Sequence, residues 1–381
     1  MRIRARHYAT DERIDVVTSG NVIQSIEPSG DGIADLEAGW IAPAFFDLQI
    51  NGCHGKAFSS SDLTADHVFT IVQVCQSHGI AQLFPTLITN SFAALEHGLS
   101  TIRRARDSDR NLARALPGIH LEGPYISPED GPRGAHPRAH VRAPDWDEFR
   151  KFQDAAGELI RLVTLAPEWD GALGFIEQAT AGGVVVSIGH TAAAGPRIRD
   201  AIRAGAKLST HLGNGCHAML PRHPNHIWEQ LAADDLWASI ICDGHHLPLS
   251  VVRCILGVKT SARTILTCDA GSLAGLPPGR YQAWDQEFEV APEGKIVLPG
   301  TAYLGGSWAF TDHCVRNVLK LGCVTLAEAV DMAGARPREL LGLPPHSLKP
   351  GQAADLVLFE WSTTEDWHLR ASVVDGARLT G

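Results

Sequence analysis

The chain has 381 residues, 44% of them hydrophobic and 20% charged, which is room for one large α/β domain and a small second one. Its 33 basic and 43 acidic residues leave a net charge of −10, excluding the broad basic face that binding to nucleic acid or an anionic membrane surface requires. The eight cysteines form no CxxC pair and no zinc-finger spacing. Cys75, Cys242 and Cys268 fall inside apolar runs, where a reduced thiol behaves as a small hydrophobe, so a reducing, cytoplasmic compartment is expected. The N-terminal MRIRARHYATDERID has no apolar core, so no signal peptide is expected, and no stretch reaches transmembrane length.

Residues 1–42 read as short strands, with Asp31-Gly32 as a turn and Ile23, Ile26 and Ile33 as apolar anchors. Near the other end, Ala354–Phe359 and Ala371–Val374, followed by Asp375-Gly376, read as strands with a turn. Two β-rich ends around a long middle predict that the termini meet in one small sheet domain, residues 1–42 with 345–381. The middle, 43–344, has a rhythm. Strand-length apolar runs occur at Pro43–Ile50, Ala81–Ile88, Leu116–Leu121, Ile160–Leu165, Val184–Ile188, Lys207–Thr210, Ala238–Cys242 and Thr264–Cys268. Between them lie helical patterns. His67–His78 carries Val68, Ile71, Val72 and Cys75 on one face, Pro196–Ala206 ends at a glycine stop, and Leu249–Leu256 is another. Eight strands alternating with helices predict a (β/α)8 barrel of the TIM type. An open doubly wound sheet would favour an early glycine-rich phosphate turn, and Gly52-x-x-Gly55 is too weak to be one.

Polar residues follow each run: Gln49 and Asn51, Thr89-Asn90, Glu122, Glu168, His190, His211 and Asn214, Asp243 with His245 and His246, and Asp269. Parallel barrel strands bring all their ends to one rim, where the active sites of such folds lie. Two histidines and a carboxylate from different strands match a catalytic zinc set of three protein ligands and one open position. Glu122, His190 and His211 each end a strand beside a small or turn-forming neighbour. Singly, each has an ordinary reading, a cap for Glu122 and a hydrogen-bonded core side chain for a histidine; together they read as ligands. Asp269, in LTCDAG, is placed as the general acid/base, against an N-cap reading. A histidine of the pair His245 and His246 could donate to a developing oxyanion, and position alone does not separate them.

At these residues the sequence resembles the N-acetylglucosamine-6-phosphate deacetylases of the amidohydrolase superfamily. The matching segments are PAFFDLQINGCHG (43–55), LFPTLIT (83–89), HLEGPYIS (120–127), GAHPRAHVR (134–142), TLAPE (164–168), GHTAA (189–193), THLGN (210–214), CDGHH (242–246) and CDAGSLAGLPPGRY (268–281), with LGGSWAFTDHCVRN and KPGQAADLVL beyond. The resemblance runs over nearly the whole chain in order. It implies a metal-dependent (β/α)8 barrel with a small β-sandwich from both termini, and hydrolysis of the N-acetyl group of an amino-sugar phosphate with release of acetate. Carried over by motif, Glu122, His190 and His211 are the metal ligands and Asp269 the acid/base. The DGxH pattern selects His246 over His245 as the residue near the carbonyl. His136 and Asn214 are sugar contacts, and the resemblance implies a homodimer.

Two departures bear on function. Where the superfamily often has HxH after the first strand, this chain has Gln49 and Asn51. Amides are poor zinc ligands beside imidazole, so one divalent ion per chain, zinc, is expected, with the amides left to face substrate. The family's THLxNAM with a following arginine becomes THLGNGCHAMLPRHPN (210–225), in which Arg222 falls on the phosphate-binding arginine in altered surroundings. An unphosphorylated or otherwise substituted N-acetyl sugar is therefore the alternative substrate. An amidohydrolase acting on another N-acyl compound or a cyclic amide is opposed by the QxN pair and Glu122. A barrel that only binds a sugar is opposed by the intact ligand histidines and Asp269.

Overall fold

The computed structural model describes residues 1–283, 286–301, 303–364 and 366–379. Eight parallel strands form one sheet in sequence order: Phe45–Ile50, Ile80–Ile88, Ile119–Glu122, Ile160–Leu165, Val185–Ile188, Leu208–Ser209, Trp237–Ile241 and Thr264–Thr267. The first and last strands approach through a parallel bridge between Ile50 and Ala270, nearly closing a barrel. All eight runs read from the sequence are strands, with ends shifted by at most three residues. The first begins at Phe45 because Pro43 belongs to another strand, Leu36–Pro43. The third begins at Ile119 because Leu116 caps the short helix Arg110–Ala115.

The expected helices are Ala65–Ser77, Gly195–Ala204 and Leu249–Lys259. In the first, Thr64 accepts from the His67 backbone N–H as N-cap, and Val68, Ile71, Val72 and Cys75 are buried, as their spacing requires.

Alternation along the strands stacks the barrel interior in layers. Phe46, Leu48, Phe84, Leu162, Leu208, Trp237 and Ile265 form an apolar plug. Next come hydroxyls and one imidazole. His120 Nε2 lies 2.7 Å from Thr164 Oγ1, which lies 2.7 Å from Thr210 Oγ1, itself 2.5 Å from Ser187 Oγ. Burial holds the His120 imidazole down at about 4, so it is neutral in this network. Above this layer lie Glu122 and Asp269.

Both termini build a separate seven-stranded sheet. Leu36–Pro43 pairs parallel with Arg2–His7 on one side and antiparallel with Leu356–Glu360 on the other, joining the two ends of the chain. Its core is Ile3, Ile14, Val16, Ile23, Ile41, Leu356, Leu358 and Val373. Ile26 packs against this core, but Ile33, expected as an anchor, is 95% exposed in the loop between strands.

The sequence reading overlooked a three-stranded antiparallel sheet, Gly279–Ala283, Gln286–Val290 and Ile296–Val297, inserted after the eighth barrel strand. The alternation in QEFEV, with Phe288 and Val290 buried, was the available signal.

Candidate active site

Strand ends carry the site. His190, His211 and Asp269 follow the fifth, sixth and eighth strands, and all three have positive φ, at 50°, 30° and 53°. Three non-glycine residues in the left-handed region at one rim indicate backbone held for side-chain aim against its own preference. Each is braced. His211 N–H donates to Ser239 Oγ at 2.8 Å. Glu168, after the fourth strand, accepts from Thr191 Oγ1 at 2.6 Å and Ala192 N–H at 2.8 Å, pinning the loop that leaves His190.

Glu122, His190 and His211 converge. His190 Nε2 and His211 Nε2 lie 3.2 and 3.1 Å from Glu122 Oε1 and 3.0 Å from each other. Two ligand atoms on a tetrahedral zinc, each ~2.0–2.1 Å from it, sit about 3.3 Å apart. His190 Nδ1 lies 2.8 Å from the Pro132 carbonyl oxygen, to which it donates. In the neutral ring this leaves His190 Nε2 a bare lone pair facing the Glu122 carboxylate, and His211 Nδ1 is buried with no hydrogen-bond partner, an arrangement that a cation would complete. The donor set therefore fits a divalent metal. Glu122, His136 and His190 also bring ligand atoms within 4.8 Å of one another. The set with His211 is tighter, and His136 has its Nδ1 engaged 2.9 Å from Thr89 Oγ1. Burial holds the His136 imidazole well below its ordinary range, so it is neutral. Burial would also raise the Glu122 carboxyl, but the imidazoles of His190 and His211 set against it outweigh that and hold it well below the usual carboxylate range.

Asp269 lies beside this cluster. Gln49 Nε2 donates to Glu122 Oε1 at 2.9 Å and Asp269 Oδ1 at 3.0 Å, and Asn51 Nδ2 donates to the same oxygen at 2.5 Å. Burial, then the Glu122 charge, pushes the Asp269 carboxyl up to about 8. On the opposite wall, His246 Nδ1 lies 2.7 Å from Asp243 Oδ2, while Asp243 Oδ1 accepts from the backbone N–H groups of His245 and His246. This turns His246 Nε2 toward the cavity. Burial raises the Asp243 carboxyl, but the bonds from His246 outweigh it and hold the carboxyl low.

A cavity of about 320 Å³, in the range that takes a small molecule, is lined by Asn51, Glu122, His136, His190, His211, Asn214, His246 and Asp269 among others. Eight of the ten residues singled out from the sequence therefore share one cavity wall. Gln49 does not line it. Fully buried, it bridges the Glu122 and Asp269 carboxylates through Nε2, while its Oε1 has no hydrogen-bond partner. Arg222 is exposed and also outside the lining of the single chain. His245 lines the cavity near its rim, with Nε2 3.2 Å from the Glu293 carbonyl oxygen.

Asp47 escaped the sequence reading. Fully buried at the barrel seam, it accepts from Gln49 N–H (2.9 Å) and Thr267 Oγ1 (2.5 Å) through Oδ1, and from Cys268 N–H (2.9 Å) and Thr311 Oγ1 (2.6 Å) through Oδ2. It ties the first strand to the eighth next to Gln49 and Asp269. The available signal was an acid inside AFFDLQI, since a charge in an apolar strand needs partners.

A parallel barrel with carboxylate and imidazole donors converging at its mouth defines a hydrolytic enzyme of the amidohydrolase type. No model of a protein family matches the chain, but individual proteins do. An N-acetylglucosamine-6-phosphate deacetylase of Bos taurus is 35% identical, covering 88% of this chain and 82% of that protein. An N-acetylgalactosamine-6-phosphate deacetylase of Escherichia coli O157:H7 is 31% identical over 94% of both. A mutant N-acetyl-D-glucosamine-6-phosphate deacetylase of Mycobacterium smegmatis, solved with N-acetyl-D-glucosamine-6-phosphate, superposes with TM-score 0.89 at 28% identity, covering 99% of this chain and 98% of that one. The chain belongs to the N-acetylglucosamine-6-phosphate deacetylase family.

Proposed function

We propose that the protein hydrolyses the N-acetyl group of an amino-sugar phosphate, with N-acetylglucosamine 6-phosphate as substrate and glucosamine 6-phosphate and acetate as products. The observation that carries this reading is the convergence of Glu122, His190 and His211 at 3.0–3.2 Å beside Asp269. These three residues would hold one zinc ion. A divalent cation held there would polarise the acetyl carbonyl and lower the pKa of a water toward neutrality. Asp269 would take the proton of the attacking water and pass it to the leaving amine. His246, its Nδ1–H given to Asp243, presents Nε2 to the carbonyl oxygen and, in its doubly protonated form, would donate to it as charge develops. His136 and Asn214 contact the sugar. The amide groups of Gln49 and Asn51 point their N–H bonds at the carboxylates; amides are poor zinc ligands beside imidazole, which supports a single metal.

The family match with an N-acetylgalactosamine-6-phosphate deacetylase favours a second reading, the C4 epimer of the same substrate. Arg222 would act on a phosphate only from a second copy, as a homodimer would allow. All eight cysteines are free, supporting a cytoplasmic, reducing setting, and no helix among the described residues is long and apolar enough to cross a membrane. The two-part division, residues 1–42 with 345–381 against 43–344, is supported by the separate terminal sheet.

The test is acetate release by zinc-loaded protein from N-acetylglucosamine 6-phosphate, N-acetylgalactosamine 6-phosphate and free N-acetylglucosamine, with metal analysis of the same sample. Release from the first, at one tightly held ion per chain, is expected. Silence toward all three rejects the reading, and two tight ions per chain reject the single-metal site.

A further inference from the structure

We propose that Lys295 is the residue by which a single chain recognises the anionic substituent of its substrate; this rests on the amino-sugar deacetylase reading above. Lys295 is the only lysine or arginine among the described residues lining the cavity. Tyr303 and His245 line the same cavity. The floor of the cavity, by contrast, carries the acids Glu122 and Asp269. In a chain of net charge −10, surface cations ordinarily find carboxylates, as Arg280 does with Glu287 and Arg336 with Glu339. Among the described residues no carboxylate pairs with the Lys295 ammonium. An unpaired, half-buried cation facing a binding cavity is free to meet a ligand's charge.

The backbone presents this side chain deliberately. Lys295 closes a turn in which Ala291 N–H donates to the Lys295 carbonyl at 2.8 Å and Gly294 N–H to the Ala291 carbonyl at 3.0 Å. The imidazole of His245 meets the Glu293 carbonyl of the same turn at 3.2 Å. His245 precedes His246, so the turn carrying Lys295 is tied to the loop carrying the proposed oxyanion donor. A ligand whose acetyl group reaches the floor and whose charged group reaches Lys295 is thereby measured from end to end. A lysine serves as a point charge for a phosphomonoester, without the planar fork of arginine. The inserted three-stranded sheet thus acquires a task, since its last turn supplies the cation.

Two measurements test this. The first is the ratio of kcat/KM for N-acetylglucosamine 6-phosphate to that for N-acetylglucosamine, in wild type, Lys295→Met and Lys295→Arg. Loss of a charge-assisted contact should lower the ratio at least tenfold in Lys295→Met, with most of it regained in Lys295→Arg. An unchanged ratio in Lys295→Met, or one that collapses only in Arg222→Ala, overturns the proposal. The second is calorimetric titration of the same proteins with glucose 6-phosphate and with glucose, which needs no turnover. Preference for the phosphate in wild type, at least tenfold weaker in Lys295→Met, is expected, and equal binding by the two proteins overturns it. If no sugar releases acetate but the titration shows that loss, the deacetylase reading fails while the anion site stands.

Discussion

Replacing Asp47 tests whether the barrel is held shut by one buried carboxylate. Its two oxygens each accept one backbone N–H and one threonine hydroxyl. Asp47→Ala leaves the N–H groups of Gln49 and Cys268 unpaired in a buried seam, at about 1–3 kcal/mol each. That is roughly 2–6 kcal/mol from the backbone donors alone, against a typical total stability of ~5–15 kcal/mol. Asp47→Asn is the sharper test. Its volume is unchanged, but whichever oxygen becomes an NH2 group then faces a donor. A threonine hydroxyl can turn to accept from that group; a backbone N–H cannot. One unpaired N–H remains, so about 1–3 kcal/mol is expected. Urea unfolding at pH 7, followed by tryptophan fluorescence, reads the shift in midpoint at constant slope. Because Gln49 and Cys268 adjoin the proposed catalytic groups, activity should fall in both variants. An Asn variant within about 0.5 kcal/mol of wild type, the range of ordinary surface substitutions, refutes the four-donor account.

Asp269→Asn should keep its metal and lose kcat by about 10²–10⁴-fold, the usual weight of a general acid/base; undiminished turnover rejects that role. The same variant reports on pH. In metal-free protein the Asp269 carboxyl titrates at about 8, above its unfolded value of 3.8, so the folded state keeps a proton that the unfolded state loses in between. Stability from this group is therefore full below 3.8 and falls as pH rises to about 8. The Asn variant should gain on wild type from pH 5 to pH 8 in metal-free denaturation, and a gain in the opposite direction contradicts the assignment. Asp243→Asn weakens a nearly buried, charge-assisted contact of 2.7 Å with His246. At ~1.5–3 kcal/mol, kcat should fall roughly ten- to hundredfold with little change in KM; a rise in KM alone would make Asp243 a binding residue instead. Gly215→Ala sets a methyl 2.8 Å from His190 Nδ1 at a φ of +58°. Zinc affinity, read by competition with a chelator, should drop about 10–100-fold, as for other changes beside a ligand; unaltered affinity shows that the loop yields freely.

Much of this site was legible before the fold was. Strand-length apolar runs ending in Glu, His, His and Asp survive any uncertainty of one to three residues in their limits, because parallel strands deliver their ends to one rim. That is why Glu122, His190, His211, His246 and Asp269 could be expected at one rim, and they line one cavity. The bonds from Gln49 to the Glu122 and Asp269 carboxylates were not legible. Whether an amide faces the cavity or the carboxylates behind it depends on side-chain packing, which spacing does not encode. Asp47 was hidden because the groups that satisfy its charge, on Thr267, Cys268 and Thr311, lie more than two hundred residues away.

The order of apolar runs and the chemistry of the residues ending them were determined by sequence alone, because strand period and parallel connection leave few alternatives. The tertiary structure decided what depends on distance between remote segments. It brought two imidazoles to within 3.0 Å of each other, closed the barrel on a buried aspartate, and held three strand-end residues at positive φ. It also carried Lys295, far along the chain in an unremarked turn, to the mouth of the cavity, while leaving Arg222, the cation that the motif suggested, on the outer surface. A charge acts through the space around it, and only the folded chain defines that space.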